Sequence, residues 1–236
     1  DKNARTLVVM DLKTNATKEY VNVMDYGFSN NGSICYFNSL GDSTFEQGVY
    51  YLNTKTGQIQ KSKIEAHSFS NLCVDTSGLH LAFTFTEQGK KAKERIYQIG
   101  LVNIEKNQTH YTIDSTSLKL RHRIGSGSLR FTENGKRLLF GVNKKTKTYE
   151  KDSTKLKEEL AALDIWSHMD GRLQPQQLKE VKADAKRSIN YFLDIKSKKT
   201  VQVGHGDFSS VSFSQKSEGR YAIVSESSPY FKERSW

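Results

Sequence analysis

Residues 28–37 read FSNNGSICYF, and the same plan returns at 73–83 (CVDTSGLHLAF), 131–140 (FTENGKRLLF) and 213–224 (FSQKSEGRYAIV, with one inserted residue). Each copy has an aromatic or small apolar residue, a polar turn ending in glycine, and then alternating apolar positions. The glycines are Gly32, Gly78, Gly135 and Gly219. A tight hairpin needs a positive φ there, which a Cβ opposes. The alternation that follows, Ile34 and Tyr36 or Leu79, Leu81 and Phe83, predicts strands with one buried face.

A second plan alternates with the first. A hydrophobic strand leads to Asp or Asn, then one residue, then Lys or Glu, then a turn. It reads LVVM-Asp11-LKTNATKEY, VYYL-Asn53-TKTGQIQ, IGLV-Asn103-IEKNQTHYTI and YFL-Asp194-IKSKKTVQV. A short Asp or Asn side chain accepts from the backbone just ahead and so starts a turn. Asn15, Gly57, Asn107 and Lys198 fall at its left-handed position, where Gly and Asn cost least and Lys fits worst.

Strict alternation of two hairpins gives four strands per unit, with turn glycines 46, 57 and 84 residues apart. Four strands per 40–50 residues is the pattern of propeller blades set radially. The expectation is an all-β chain, a β-propeller fragment of about four four-stranded blades with a partly helical or irregular insertion near 142–187. Residues 1–236 form a single domain, excised from a larger protein. The chain opens on the second hairpin of one unit and ends after the first hairpin of another. Both ends then hold half-blades, which either pair to close a small ring or belong to a larger propeller.

Composition agrees with an ordered β domain. Hydrophobic residues make up 36%, with 12 Phe and 11 Tyr, enough for a core. No run is long and apolar enough for a membrane helix, and residues 1–12 are too polar for a signal peptide. The net charge of +10 raises nucleic-acid binding, but the lysines are scattered through turns and mixed with acids in 144–157, which argues against it. Cys35 and Cys73 occupy non-equivalent positions and read as apolar thiols, not as a disulfide.

Catalytic motifs are missing. No Gly-x-Ser-x-Gly elbow occurs, and Gly125-Ser-Gly-Ser128 has the wrong spacing and reads as a loop. None of the six histidines stands at metal-ligand spacing, and no phosphate or dinucleotide loop is present, so no catalytic residue, cofactor or metal is expected. Three sequons, at Asn15, Asn31 and Asn107, fall in predicted turns and would be surface sites. In the insertion, KDSTKLKEELAAL (151–163) has helical spacing with Asp152 or Ser153 as N-cap, and 169–188 is polar and turn-rich. Trp166, His168 and Asp170 form the one polar cluster beside a large aromatic and are candidate ligand contacts, against the plainer reading of a surface excursion.

The segments LDIWSHMDGRLQPQQLKE (163–180), RSINYFLDIKSKKTVQVG (187–204) and SPYFKERSW (228–236) resemble the N-terminal propeller of bacterial prolyl oligopeptidase-family serine peptidases, relatives of the dipeptidyl peptidases. The resemblance implies a C-terminal α/β-hydrolase domain as partner, a peptide substrate, and a periplasmic or secreted location. It carries over no catalytic residue, since the family's triad lies in the hydrolase domain. Glu158 and Glu159 are adjacent acids like the family's substrate-holding pair, but their neighbours do not match that motif, and they read as a solvated helix face. The implied role is a non-catalytic propeller that gates or orients peptides. A free-standing scaffold that binds protein or carbohydrate, and an enzyme with its site on the propeller axis, remain as rivals.

Overall fold

The computed structural model describes residues 4–43, 45–92, 95–119, 122–125, 127–145, 167, 169–204, 209–214 and 218–234. Gly32, Gly78 and Gly135 turn the chain at φ of 68°, 77° and 67°, and Asn15, Gly57, Asn107 and Lys198 take φ of 57°, 69°, 45° and 57°. The backbone therefore reverses where both sequence plans require it. Gly219 is the exception and stays out of the left-handed region. Its turn holds an extra residue, so the reversal is not forced onto the glycine.

Sixteen strands lie among the described residues. The first sheet runs in order β1 (Arg5–Met10), β2 (Thr17–Phe28), β3 (Ile34–Ser39), β4 (Gly48–Asn53) and β5 (Ile59–Lys61). The second holds β6 (Ser68–Val74), β7 (His80–Thr86), β8 (Gln98–Asn103) and β9 (Gln108–Ile113). The third orders β10 (His122–Ile124), β12 (Arg137–Lys144), β13 (Ile189–Asp194) and β14 (Lys199–Val203), with β11 (Arg130–Phe131) also paired to β12. A two-stranded sheet of β15 (Ser209–Ser212) and β16 (Ile223–Glu226) follows. Every pair is antiparallel, and all but β10–β12 join chain neighbours, the meander of a propeller blade.

The first half-blade does not stand apart as expected. β2 runs twelve residues, pairing β1 through Thr17–Val23 and β3 through Val23–Phe28. Asn22 takes φ 55° at the junction, so a left-handed kink replaces a turn. One strand thus closes one blade and opens the next. The two end hairpins also lie in separate sheets and do not close a ring on each other.

Blades pack face to face through two apolar layers. Ile34, Val49 and Tyr51 of the first blade meet Leu81, Phe83 and Phe85 of the second. Ala82, Ile99, Leu101 and Ile113 of the second meet Leu138, Phe140 and Val142 of the third. Phe83 and Leu138 are fully buried, and each such side chain contributes roughly 1.5–3 kcal/mol. The residues three and five after each turn glycine face the preceding blade (Leu81 and Phe83, Leu138 and Phe140).

The described helix is α1 (Gln174–Ala185), in the stretch expected to be polar and turn-rich. Pro175 suits the first helical turn, and Gln, Leu, Lys and Glu are good helix formers. Leu178 and Val181 are exposed, so no apolar stripe announces the helix in the sequence. Arg172 holds it from outside, bonding Glu180 and, at 2.7 Å, Asp184. Residues 151–163, where a helix is expected from the spacing, lie outside the described residues.

Candidate functional site

β6 touches β2, β3 and β11, which brings the first strands of successive blades beside one another. Regular pairing fails in the middle of each of them. The register shifts between Val23 and Asp25, and again between Ser70 and Cys73, while in the third blade the strand breaks between β10 and β11. Asn71 takes φ 53°, as Asn22 takes 55°. Bulges of this kind re-aim side chains and free backbone groups next to sites.

Asn38, 4% exposed, stitches the first irregularity to the second blade. Its Oδ1 accepts from the Asp25 N–H at 2.7 Å, and its Nδ2 donates to the Phe69 carbonyl at 3.0 Å. Asn38 stands six residues after its turn glycine. The same position holds Thr84 in the second blade and Gly141 in the third. Thr84 is fully buried and its Oγ1 has no hydrogen-bond partner. The blades thus keep their apolar faces alike and differ at this position, which holds Asn, Thr or Gly.

In the third blade the break holds Gly125, Gly127 and Ser128, the loop expected from the sequence. A Cβ on Gly125 would collide with Asn143 Oδ1, and one on Gly127 would meet nothing. Asn143 Nδ2 donates to the carbonyls of Lys186 and Arg187, at 3.2 and 2.9 Å. The insertion leaves after Lys144 and returns at Ile189, so Asn143 ties its returning end to β12. Beside it, His122 Nδ1 lies 2.7 Å from the Tyr191 hydroxyl, which donates to Gln202 Oε1 at 3.3 Å. Burial raises the Tyr191 pKa, with the Lys119 backbone N–H pulling it partly back.

The opposite ends of the blades carry the glycine turns, which interlock. Asn31 Nδ2 donates to the Ser77 carbonyl at 3.1 Å, and Arg137 to the Gly219 carbonyl at 3.1 Å. A Cβ on Gly135 would sit 3.1 Å from Asp75 Oδ2. Asp75 is 2% exposed and accepts from the backbone N–H of Leu79 and of His80, the Ser77 hydroxyl, and the His80 ring at 3.0 Å. Burial pushes its pKa up, but these bonds outweigh burial and hold the carboxyl below its ordinary value. The signal is present in the spacing D-x-x-G-x-H, which by itself indicates only a turn.

Of the sequence candidates, Trp166 and His168 lie outside the described residues, as do Glu158 and Glu159. Asp170 is exposed in the turn ahead of α1 and accepts from Gln177 Nε2 at 3.4 Å. The sequon asparagines divide. Asn15 is exposed in its turn, Asn31 is engaged with Ser77, and Asn107 accepts a short hydrogen bond from the Tyr51 hydroxyl. Both cysteines are free, and burial raises the Cys35 pKa to about 11 and the Cys73 pKa further, the opposite of an activated thiolate. Among the described residues no three His, Cys, Asp or Glu gather as a metal set, and no helix is long and apolar enough to cross a membrane.

No protein-family model matches the chain, and no curated protein matches it. Solved structures do. The β-propeller domain of the Trilobed protease from Pyrococcus furiosus aligns over 88% of this chain and 51% of its own, at 11% identity and TM-score 0.51. The acylaminoacyl peptidase of Pyrococcus horikoshii aligns over 94% and 33%, at 10% identity and TM-score 0.49. TolB from Acinetobacter baumannii aligns over 84% and 37%, at 11% identity and TM-score 0.41. The chain spans about half the length of the Pyrococcus furiosus propeller domain. The fold is a β-propeller, nearly all β, in four sheets with one described helix.

Proposed function

We propose that this chain is the non-catalytic propeller part of a serine peptidase, gating or orienting peptides for an α/β-hydrolase domain outside residues 1–236. One observation carries the reading. The insertion whose sequence resembles the peptidase propellers leaves β12 after Lys144, and Asn143 holds its returning end through the Lys186 and Arg187 carbonyls, beside the break between β10 and β11. In this reading an insertion rooted there selects peptides by exclusion. Selectivity then comes from placement and not from bond-making.

The test uses the full-length gene product and peptides of graded length. The reading expects hydrolysis that depends on a serine outside this chain, and a kcat/KM that falls as peptides lengthen. Asn143→Ala should flatten that dependence while leaving the shortest peptide unaffected. A full-length protein without hydrolase activity would remove the reading. A scaffold for a protein partner is the second reading, favoured by the exposed Leu173, Leu178 and Val181 around α1.

A further inference from the structure

We propose, resting on the peptidase reading above, that the basic cluster where the insertion leaves and rejoins the third blade binds acidic peptides. Peptides rich in Asp and Glu are then the preferred substrates.

Three stretches far apart in sequence form the cluster. β10 and β12 pair with His122 opposite Lys144 and Arg123 opposite Asn143. Asn143 Nδ2 donates to the carbonyls of Lys186 and Arg187, which brings the returning end of the insertion alongside. The His122 N–H donates to the Lys119 carbonyl at 3.0 Å and folds Lys119 back onto the same end of the blade. Lys119, Lys144, Lys145 and Lys186 are exposed there, and Arg123 is half-buried.

The acids nearby do not cancel this charge. Asp184 accepts from Arg187 at 2.8 Å and from Arg172 at 2.7 Å, and Arg172 also holds Glu180. That network balances two arginines against two acids and leaves Lys119, Arg123, Lys144, Lys145 and Lys186 outside it. Asp114 is turned into its own cap, where it accepts from the N–H of Thr116 and of Ser117. Residues 146–166 add four lysines and five acids, close to balance. A summed positive field concentrates anions at its surface, whatever contacts its members make among themselves.

The surroundings favour a peptide over a nucleic acid. Gly127 and Ser128 are exposed at the break between β10 and β11, and a Cβ on Gly127 would meet nothing. An extended main chain can therefore come close to the cluster, and irregular sheet edges take up such chains. Tyr191, the aromatic beside His122, is 2% exposed and offers no face for base stacking.

The test uses the full-length gene product and a fluorescein-labelled peptide with glutamate at alternate positions. Its glutamine and lysine counterparts and a single-stranded DNA oligonucleotide are compared with it. Anisotropy reads binding without hydrolysis. The glutamate peptide should bind about tenfold tighter than the glutamine one and lose that advantage as salt rises. Lys119→Glu and Lys186→Glu, both at exposed positions, should each keep the circular-dichroism spectrum and weaken binding about fivefold or more. Lys55→Glu, the same charge change in the exposed β4–β5 turn, should leave binding unaltered.

Equal binding of the glutamate and glutamine peptides would overturn the proposal. So would a preference for the oligonucleotide, or a Lys55→Glu effect as large as those of Lys119→Glu and Lys186→Glu. Binding of the glutamate peptide by a protein that hydrolyses no peptide would remove the peptidase reading and keep the cluster as a peptide site. Hydrolysis without any preference for glutamate would do the reverse.

Discussion

Asn38 in the first blade donates through Nδ2 to the carbonyl of Phe69 in the second, at 3.0 Å, while its Oδ1 accepts from Asp25 in its own blade. One buried amide thus fixes an irregular strand and joins two repeats. Asn38→Ala leaves the Asp25 N–H and the Phe69 carbonyl without their partner. The expected cost is about 2 kcal/mol, read as a lower urea midpoint with unchanged slope. An unchanged midpoint would show that water replaces the amide without loss.

Thr84 makes the converse case. Its hydroxyl occupies the equivalent position, fully buried and without a partner. Thr84→Val keeps the shape and removes the group, so stability should rise by about 1 kcal/mol. A loss in the same urea experiment would mean that the hydroxyl is satisfied in solution.

Acid should act on the turn built by Asp75. Hydrogen bonds hold its pKa below the ordinary value in the folded chain despite burial. A lowered folded pKa gives stability that is present above the unfolded value of about 3.9 and lost as pH falls through the folded one. Unfolding free energy should therefore drop below about pH 4, and Asp75→Asn should be less stable at pH 7 and flatter across that window. Parallel curves for the two proteins would rule Asp75 out as a source of the acid transition.

Lys198 carries a left-handed backbone at φ 57°, where two equivalent turns use asparagine and one uses glycine. Its ammonium stands 5.8 Å from the centre of the Tyr111 ring, a compensation of about 0.5–1 kcal/mol. Lys198→Asn should raise the thermal midpoint, because relief of the backbone strain, about 1 kcal/mol, matches or exceeds what the cation gains over the ring. A lower midpoint would make the attraction to Tyr111 the larger effect.

The strands and turns are legible in the sequence because each rests on local rules repeated several times. Asn15, Gly57, Asn107 and Lys198 align at one position of the second plan, and all four adopt the expected conformation. The merged strand β2 is not legible. Its kink at Asn22 lies within an alternating run and lacks the glycine that marks the other reversals. Helix α1 escapes because Leu178 and Val181 are exposed and its ion-pair partner Arg172 lies outside the helix. The roles of Asn38, Asp75 and Asn143 depend on partners in another strand, blade or loop, and a single sequence gives no register between them. Trp166 and His168 stay expectations, and Asp170 serves the start of a helix.

The kinked strand β2 also bears on how the chain comes apart. In an array of blades each unit is held by its neighbours, and local opening spreads through the contacts they share. Because β2 belongs to two units at once, opening of one cannot stop at the boundary with the other. Peeling away β1 should loosen the first whole blade in the same step.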